Sequence, residues 1–401
     1  MGFLKLLFNK KDIGGGLQLL LPKKFTSNKI DPSKLAEAYR KWVYICVSKN
    51  ADAIASQNMR LVATTNRNDS QVRALHKQVS KETFAHDTSL IKRPEFKQAE
   101  NIVEIINHPF LQLLEKPNQN DSQYTFIYSL VTNLELFGTA YLYIQKDPLL
   151  NIPVNMEVLH SQFVTIEKNN GKIKEYRYGF GKSQVKYKPE DIVRIKYYSP
   201  YSDMYGFAPL QAVYTQYQLD DSFDAYQLAI NENSGNPSGI IKYNGGVLNE
   251  KDRAILEKSW NKTMKGISNT GKVKVIGGDF DLISIGMNPK DMDFKQGRII
   301  TRESILSAFG VPVSFVAPQE INRASFETTL MQYQMQTVEP KIRQIIDDIN
   351  AHIISMYEEP RLYLTYDDPV EQRRKDKVND IIRLVEVGIL TAEDARSELL
   401  N

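Results

Sequence analysis

Apolar positions along this chain follow two spacings, one near the helical repeat of about 3.6 residues and one near the strand repeat of 2, and the two alternate from one end to the other. The longest helical pattern runs from Ser325 to Tyr357, with Met335, Val338, Ile342, Ile345, Ile346, Ile349, Ile353 and Tyr357 on one face. Straight, such a helix would span about 50 Å. Pro340 falls in its middle, where it removes a backbone hydrogen bond and its ring collides with the preceding turn, so a bend or local break is expected there. Two ordinary helices joined at the proline are the alternative. A second stripe, Phe126, Leu130, Leu134 and Phe137, predicts a buried helix between Asp121 and Phe137 that Gly138 ends in a left-handed conformation.

Val43, Cys46, Val47 and Ile54 share one face of an earlier helix. Pro209 to Asn231 predicts a long helix carrying Tyr214, Tyr217, Phe223 and Tyr226, suited equally to packing between subunits and to ordinary core packing. Asn249, three residues before Asp252, marks the cap of a helix whose apolar stripe is only Leu256, Trp260 and Met264 and which Gly266 ends. So thin a stripe needs cover on one side, as in a ring of radially repeated helices or on the surface of a monomer.

Strand-like alternation occupies Ala140–Ile144, Val164–Ile166, Lys174–Tyr178 and Ile192–Ile195, with turns at Asn169-Asn170-Gly171 and Gly179-Phe180-Gly181. Lys272–Ile276 and Phe280–Ile285 flank Gly277-Gly278-Asp279 and predict a hairpin. Glu371 to Leu400 reads as charged helices, with Thr391 and Asp394 as a capping box. The fold class is therefore α+β. Residues 1–40, with Gly14-Gly15-Gly16 and scattered lysines, predict a flexible or partner-bound arm, and 65–100 is polar and poorly periodic.

Candidate chemistry is sparse. Gly181-Lys182-Ser183 imitates the end of a phosphate-binding loop, but Tyr176 stands where a glycine is needed and a strand, Gln184–Tyr187, follows where a helix is needed. The five histidines have no metal-ligand spacing and are expected at the surface or in caps. Asp220-Asp221, Asp347-Asp348, Glu358-Glu359 and Asp367-Asp368 are adjacent pairs, which on a helix diverge by about 100° and seldom converge on one ion. No catalytic residue, metal or cofactor is expected. Cys46 is the lone cysteine, which excludes an internal disulfide and multi-cysteine zinc sites and predicts a buried structural thiol. GFLKLLFNKK is too short and charged for a signal peptide, Leu6 stands where a myristoylation site needs Ser or Thr, and no run approaches a membrane span, so a soluble protein of a reducing cytoplasm is expected.

Several segments, in consistent order, resemble the portal proteins of tailed bacteriophages. They are Val43–Val47 with Ala53-Ile54-Ala55; His108-Pro109, Pro117-Asn118 and Phe137–Tyr141; Pro189–Val193 and Gly206–Leu210; Gly310-Val311-Pro312, Ala324–Glu327 and the proline-interrupted helix; then Gly388–Thr391 with Arg396. Asn58 and Arg194 depart from the proline and histidine common in relatives. The resemblance implies an arm (1–40), an α/β wing (41–245), a stem helix (246–266), a small β-containing clip (267–289) and a second stem helix (290–310). A tunnel loop (311–325), a kinked helix (326–360) and a helical C-terminal crown (361–401) would complete the subunit.

It further implies a dodecameric ring at a capsid vertex of the virion, assembled in the host cytoplasm, that conducts double-stranded DNA during packaging and ejection. Pro318, Gln319, Glu320, Asn322 and Arg323 would line the channel. Lys272, Lys274, Asp279 and Asp281 would dock the terminase large subunit and a head-tail adaptor, with Trp260, Leu256 and Met264 at the subunit interface and the major capsid or scaffold protein around the ring. The 401 residues, 42% hydrophobic and 25% charged, suit two or three compact units, and a net charge of +3 lacks the strongly basic footprint of a protein that grips phosphates. A conduit must pass the duplex without binding it tightly, so near-neutrality fits one, as it fits a protein that never meets DNA. A metal-dependent enzyme acting on nucleic acid and a DNA-independent ring scaffold are the rival readings.

Overall fold

The computed structural model describes residues 30–65, 76–78, 101–181, 183–232, 239–243, 249–264, 280–284, 294–316, 323–359, 361–367, 381–383 and 385. The packed core, at the position expected for the wing, begins earlier than the expected arm allows. Asp31 caps the short helix α1 (Pro32–Glu37) by accepting from the Ser33 N–H, Pro32 supplies the first turn, and Leu35 and Ala38 are buried. The tail of the expected arm is thus part of the core, because one leucine and one alanine at helical spacing suffice to anchor so short a helix.

Helix α2 (Lys41–Ala55) buries Val43, Cys46, Val47, Ala51 and Ile54 against α4 (Gln123–Phe137). Strands β1 (Met59–Thr65), β2 (His76–Gln78) and β3 (Asn101–Ile105) precede α3 (Pro109–Glu115), which His108 caps by accepting from the Phe110 N–H. Ser122 caps α4, and Gly138, with φ 72°, ends it. The Gly138 carbonyl then accepts from the Tyr197 N–H, and a Cβ on Gly206 would collide with it. Two glycines therefore let the corner between helix and strand close against the chain that returns to it.

From that corner runs β4 (Thr139–Lys146), flanked by β5 (Pro153–Leu159) and β9 (Ile192–Lys196) in the order β5-β4-β9, with Tyr141 opposite both Leu159 and Arg194. Alternation sends Ala140, Leu142 and Ile144 into the main core and Tyr141 into a smaller one with Leu159, Val164, Ile166, Tyr176 and Ile192. That second core lies under β6 (Val164–Asn169), β7 (Lys172–Tyr178) and β8 (Val185–Tyr187), whose first turn holds Asn170 and Gly171 at φ 49° and 79° as its Asn-Gly sequence predicts.

The expected helix over 209–231 is interrupted at Val213, giving α5 (Pro209–Ala212) and α6 (Tyr214–Glu232). Strand β10 (Gly239–Tyr243), which the sequence reading missed, follows; then come α7 (Glu250–Met264), β11 (Phe280–Ser284) and α8 (Phe294–Phe309). Asn249 caps α7 as expected, accepting from the Asp252 N–H at 2.8 Å. Of the expected hairpin, the second strand is present and pairs antiparallel with β10, setting Asp281 opposite Lys242, while Lys272–Ile276 and Asp279 lie outside the described residues. Alternation identifies a strand but not its partner, and Gly239-Ile240-Ile241 carried the overlooked signal.

The long helix comprises α9 (Arg323–Tyr333), a π turn at Gln334–Val338 and α10 (Glu339–His352). The expected irregularity is present, but as a widened turn just before Pro340, where the Glu339 N–H donates to the Gln334 carbonyl. Val338, Ile342, Ile345, Ile346, Ile349 and Ile353 are buried as predicted. Met335 is not, at 53% exposed, because the extra residue of the π turn carries the buried face five positions back, to Tyr333. Tyr357 is only partly buried, in a 3-10 turn. Strand β12 (Leu362–Tyr366), placed at the start of the helical crown by the sequence reading, joins the sheet ordered β12-β1-β3-β2.

Candidate functional site: the loop base and the projecting helices

Phe309 and Gly310 form the turn at which α8 leaves the wing, and polar side chains from three elements fix it. The Phe309 carbonyl accepts from Asn50 Nδ2 at 3.0 Å and from Lys341 Nζ at 3.2 Å. Thr337, in the π turn, donates to the Gly310 carbonyl at 2.8 Å. Gly310 has φ 72°, and a Cβ there would lie 2.5 Å from Thr337 Oγ1, so both the left-handed backbone and the close approach require glycine. Tyr333 donates to Asn50 Oδ1 and to the Lys49 carbonyl, closing the network onto α2.

Behind this turn lies a buried charge. Glu135 is fully buried, paired with Lys341 at 2.6 Å and accepting from the Tyr197 hydroxyl at 3.0 Å. Lys341 thereby ties the wing helix α4 to the stretch where α8 ends. Gln344 adds a bond from α10 to the Lys196 carbonyl of β9. Burial raises the Tyr197 and Tyr333 hydroxyls above the ordinary tyrosine range, with Glu135 as a secondary cause, so both serve as neutral donors.

Beyond the turn, Phe315 sits in a 3-10 turn with ring contacts to Tyr333 and Phe326, and Val313, Phe315 and Val316 pack on the core. The first part of the expected tunnel loop is therefore a packed pedestal. Pro318, Gln319, Glu320 and Asn322 lie outside the described residues. Arg323 opens α9 and so belongs to helix, not to loop.

A second cluster joins α2 to α6 and α8. Lys41 pairs with Asp221 and Asp224, Arg40 with Asp221 at 3.0 Å, and Arg298 with Asp224 at 2.7 Å. Gly297 brings α8 against the Phe223 ring of α6. The helix that packs along α8 is thus α6, while every described side chain of α7 from Glu250 to Ser259 is exposed, Leu256 included. The side chains of Trp260 and Met264 lie outside the described residues.

The adjacent carboxylates Asp220 and Asp221 diverge, and Asp220 is not the solvated charge expected of such pairs. Asp221 turns to Arg40 and Lys41, whereas Asp220 is buried beside Thr301. Among the described residues no group of three or more His, Cys, Asp or Glu could hold a metal ion. Gly181 leads into strand β8. Cys46 is buried with its thiol pushed up to about 12, foremost by burial. Among the described residues no helix is long and apolar enough to cross a membrane. The sequence reading missed Asn50, Glu135, Tyr333, Thr337 and Lys341. Its available signal was a polar residue inside an apolar helical run, as with Glu135 between Leu134 and Leu136.

Comparisons with known proteins agree with this architecture. An uncharacterized protein of Rickettsia bellii (strain RML369-C) is 23% identical over 303 residues, which cover 73% of this chain and 78% of that protein. A chain from the neck of an empty GTA particle, computed with C6 symmetry, superposes with a TM-score of 0.58 at 21% identity, covering 92% of this chain and 93% of that one. An HK97 family phage portal protein from Corynebacterium diphtheriae gives 0.56 at 13% identity, with 84% and 95% covered. The family model for phage portal proteins matches residues 90–399. This chain belongs to the phage portal protein family.

Proposed function

We propose that this protein is the subunit of a twelvefold ring at a capsid vertex, through which double-stranded DNA passes during packaging and ejection. The observation that carries the reading is the family match over residues 90–399, to a family that is structural and not enzymatic. Twelvefold order is supported by the similar chain from the neck of a native GTA particle computed with C12 symmetry. Apolar side chains left uncovered on α6, α7 and α8, among them Leu228, Ile255 and Ile300, support burial against neighbouring copies.

In this reading the two limbs of the stem are α6 and α8, which pack on each other, and α7 with the β10–β11 pair forms the clip. That replaces the stem helix expected at 246–266. Asp281, with Lys272, Lys274 and Asp279, would meet the terminase large subunit and then a head-tail adaptor. Leu256, Trp260 and Met264 would face a neighbouring subunit or that partner. Pro318, Gln319, Glu320 and Asn322 would line the narrowest part of the channel, with Arg323 at its edge. Glu320 and Arg323 together leave that stretch close to neutral, which lets a duplex slide without being held.

The test is the solution mass of the purified chain combined with electron microscopy. Rings near twelve subunits are expected; a strict 45.9 kDa monomer at all concentrations, with no rings on grids, would overturn the reading. Deleting Gln319 to Asn322 should leave rings intact and impair genome packaging or retention, and normal packaging would remove that loop from the channel.

A further inference from the structure

The network that holds the Phe309 turn also brings together an amine, a carboxamide and a carboxyl group. Lys341 Nζ and Asn50 Nδ2 donate to one acceptor, the Phe309 carbonyl, at 3.2 and 3.0 Å. The lysine of α10 and the asparagine of α2 therefore meet at a single point. Glu135 Oε1 lies 2.6 Å from the same amine, while its Oε2 is buried with no hydrogen-bond partner among the described residues. Tyr333 donates to Asn50 Oδ1 at 2.8 Å. Asn50 and Glu135 are 0% exposed and Tyr333 5%, so the carboxamide is closed off from bulk water.

Each group has a chemical use beyond fixing the turn. A lysine attacks a carbonyl carbon only after shedding its proton. The interior favours that step, because two buried charges cost more solvation than the neutral amine and carboxyl that proton transfer between them leaves. A hydrogen bond already aimed at Oδ1 stabilises the negative charge that gathers there during attack. Packed helices hold both partners, which removes the entropy cost of bringing them together.

We propose that Lys341 and Asn50 join in an intramolecular isopeptide bond that ties α10 to α2, with Glu135 as the proton carrier. The freshly folded chain holds the ion pair, and the bond forms from it afterwards. Glu135 takes one proton from the Lys341 ammonium. The freed electron pair on Nζ attacks Asn50 Cγ, and Tyr333 steadies the charge on Oδ1. As the tetrahedral centre collapses, the Cγ–Nδ2 bond breaks with its electron pair on nitrogen; a second proton leaves Nζ, reaches Nδ2 through the Glu135 carboxyl, and ammonia departs. No oxidant, metal or nucleotide enters the balance. Lys341 ends as a neutral amide and Glu135 as a neutral carboxyl, so neither charge of the pair stays buried. The inference goes beyond the portal reading and stands without it, because it needs one folded chain and no ring.

Mass spectrometry of the full chain reads the bond directly. Incubated in the folded state and then denatured, the chain should have lost the mass of one ammonia. Trypsin should fail to cut after Lys341 and should release Asn50–Arg60 joined to Ala324–Arg343 as one branched peptide. Lys341→Arg, which keeps a cation beside Glu135 but has no primary amine, should retain the full mass. Glu135→Gln should slow the loss about a hundredfold, and Tyr333→Phe by a similar factor, each with unchanged circular dichroism. Full mass in the native chain after prolonged incubation would overturn the bond, whatever the variants do. So would an ammonia loss that maps to an unbranched peptide, such as a succinimide at Asn170-Gly171. A bond that forms at the native rate in folded Glu135→Gln would overturn the proton carrier.

Discussion

The wing and the projecting helices are built from similar amphipathic patterns and end in opposite states. In the wing, α2, α4 and α10 close on one another, with Val47, Ile54, Phe126, Leu130, Leu134 and Ile342 all at 0% exposure. In the projecting part, Ile300 on α8 and Leu228 on α6 remain 56% and 61% exposed, and α7 covers none of its described residues up to Ser259. The wing is held by burial, with polar groups spent on fixing turns. The junction with α6 and α8 combines burial of Tyr217, Ile305, Leu306 and Phe309 in the main core with the ion pairs of Lys41, Asp221, Asp224 and Arg298, which are partly solvent-screened and individually weak. A helix of α7's length is marginal alone in water, so its stability must come from packing beyond its described side chains.

The most severe way to break the wing is to strand its buried charge. Lys341→Met leaves the fully buried Glu135 carboxyl without its cation and should cost about 3–5 kcal/mol, read by denaturant unfolding. The double variant Glu135→Gln with Lys341→Met should recover most of that loss, since both charges are then gone. Equal instability of the single and double variants would mean that the Lys341 bond to Phe309, and not the ion pair, carries the effect.

Next in size is the corner at Gly138. Gly206→Ala would drive a Cβ into the Gly138 carbonyl, with backbone on both sides and no flexible side chain to yield, and should cost about 3 kcal/mol. Gly171→Ala makes the contrast: nothing lies within 4 Å of its Cβ, so only the backbone penalty at φ 79°, about 1 kcal/mol, should appear. Thermal melting of the two variants separates collision from backbone strain.

The same contrast explains what could be read from the sequence. Helix α4, its Gly138 stop, the strand alternation of β4, β6, β7 and β9 and the cap at Asn249 were legible because local period and local turn chemistry agree with the final structure. The Met335 error arose where they disagree: a straight-helix count cannot anticipate the residue that the π turn inserts, which long-range bonds to Asn50 and Gly310 hold in place. Strands β1, β5, β10 and β12 went unread as short segments whose pairing depends on distant chain, Leu61 meeting Leu364 for example. The site residues fared worst, since Glu135 and Lys341 lie far apart in sequence and only folding reveals the pair.

To sharpen the contrast on the projecting side, Ile255→Glu and Leu256→Glu should change the stability of the isolated chain by no more than about 0.5 kcal/mol, because both side chains already face water. Both should reduce ring formation, measured by native mass or electron microscopy. Unchanged rings would show that this face of α7 meets neither a neighbouring copy nor any partner needed for assembly.

The smallest effect expected lies at the junction between the two regions, and it has a pH signature. Burial first, then Asp224, pushes the Asp220 carboxyl above its ordinary range, whereas the hydrogen bond from Lys41 holds Asp221 below its own. A raised folded pKa adds stability that is complete below the unfolded value, near about 4, and is lost as pH rises through the folded value. A lowered one works in reverse, adding stability above the unfolded value that is lost as pH falls. At neutral pH the Asp220 charge is therefore a cost to the folded state and the Asp221 charge a gain. Asp220→Asn keeps an acceptor for Thr301 and removes the charge from beside Asp224, while Asp221 and Asp224 still neutralise Lys41 and Arg298. It should raise Tm at pH 7 by on the order of 2 °C, a gain that fades as the medium is acidified below about pH 4. Asp221→Asn should lower Tm at pH 7 and become neutral over the same acid range. If both variants shift Tm in the same direction at pH 7, the two adjacent carboxylates share one environment, and the junction is not divided between a buried side and a solvent-facing side.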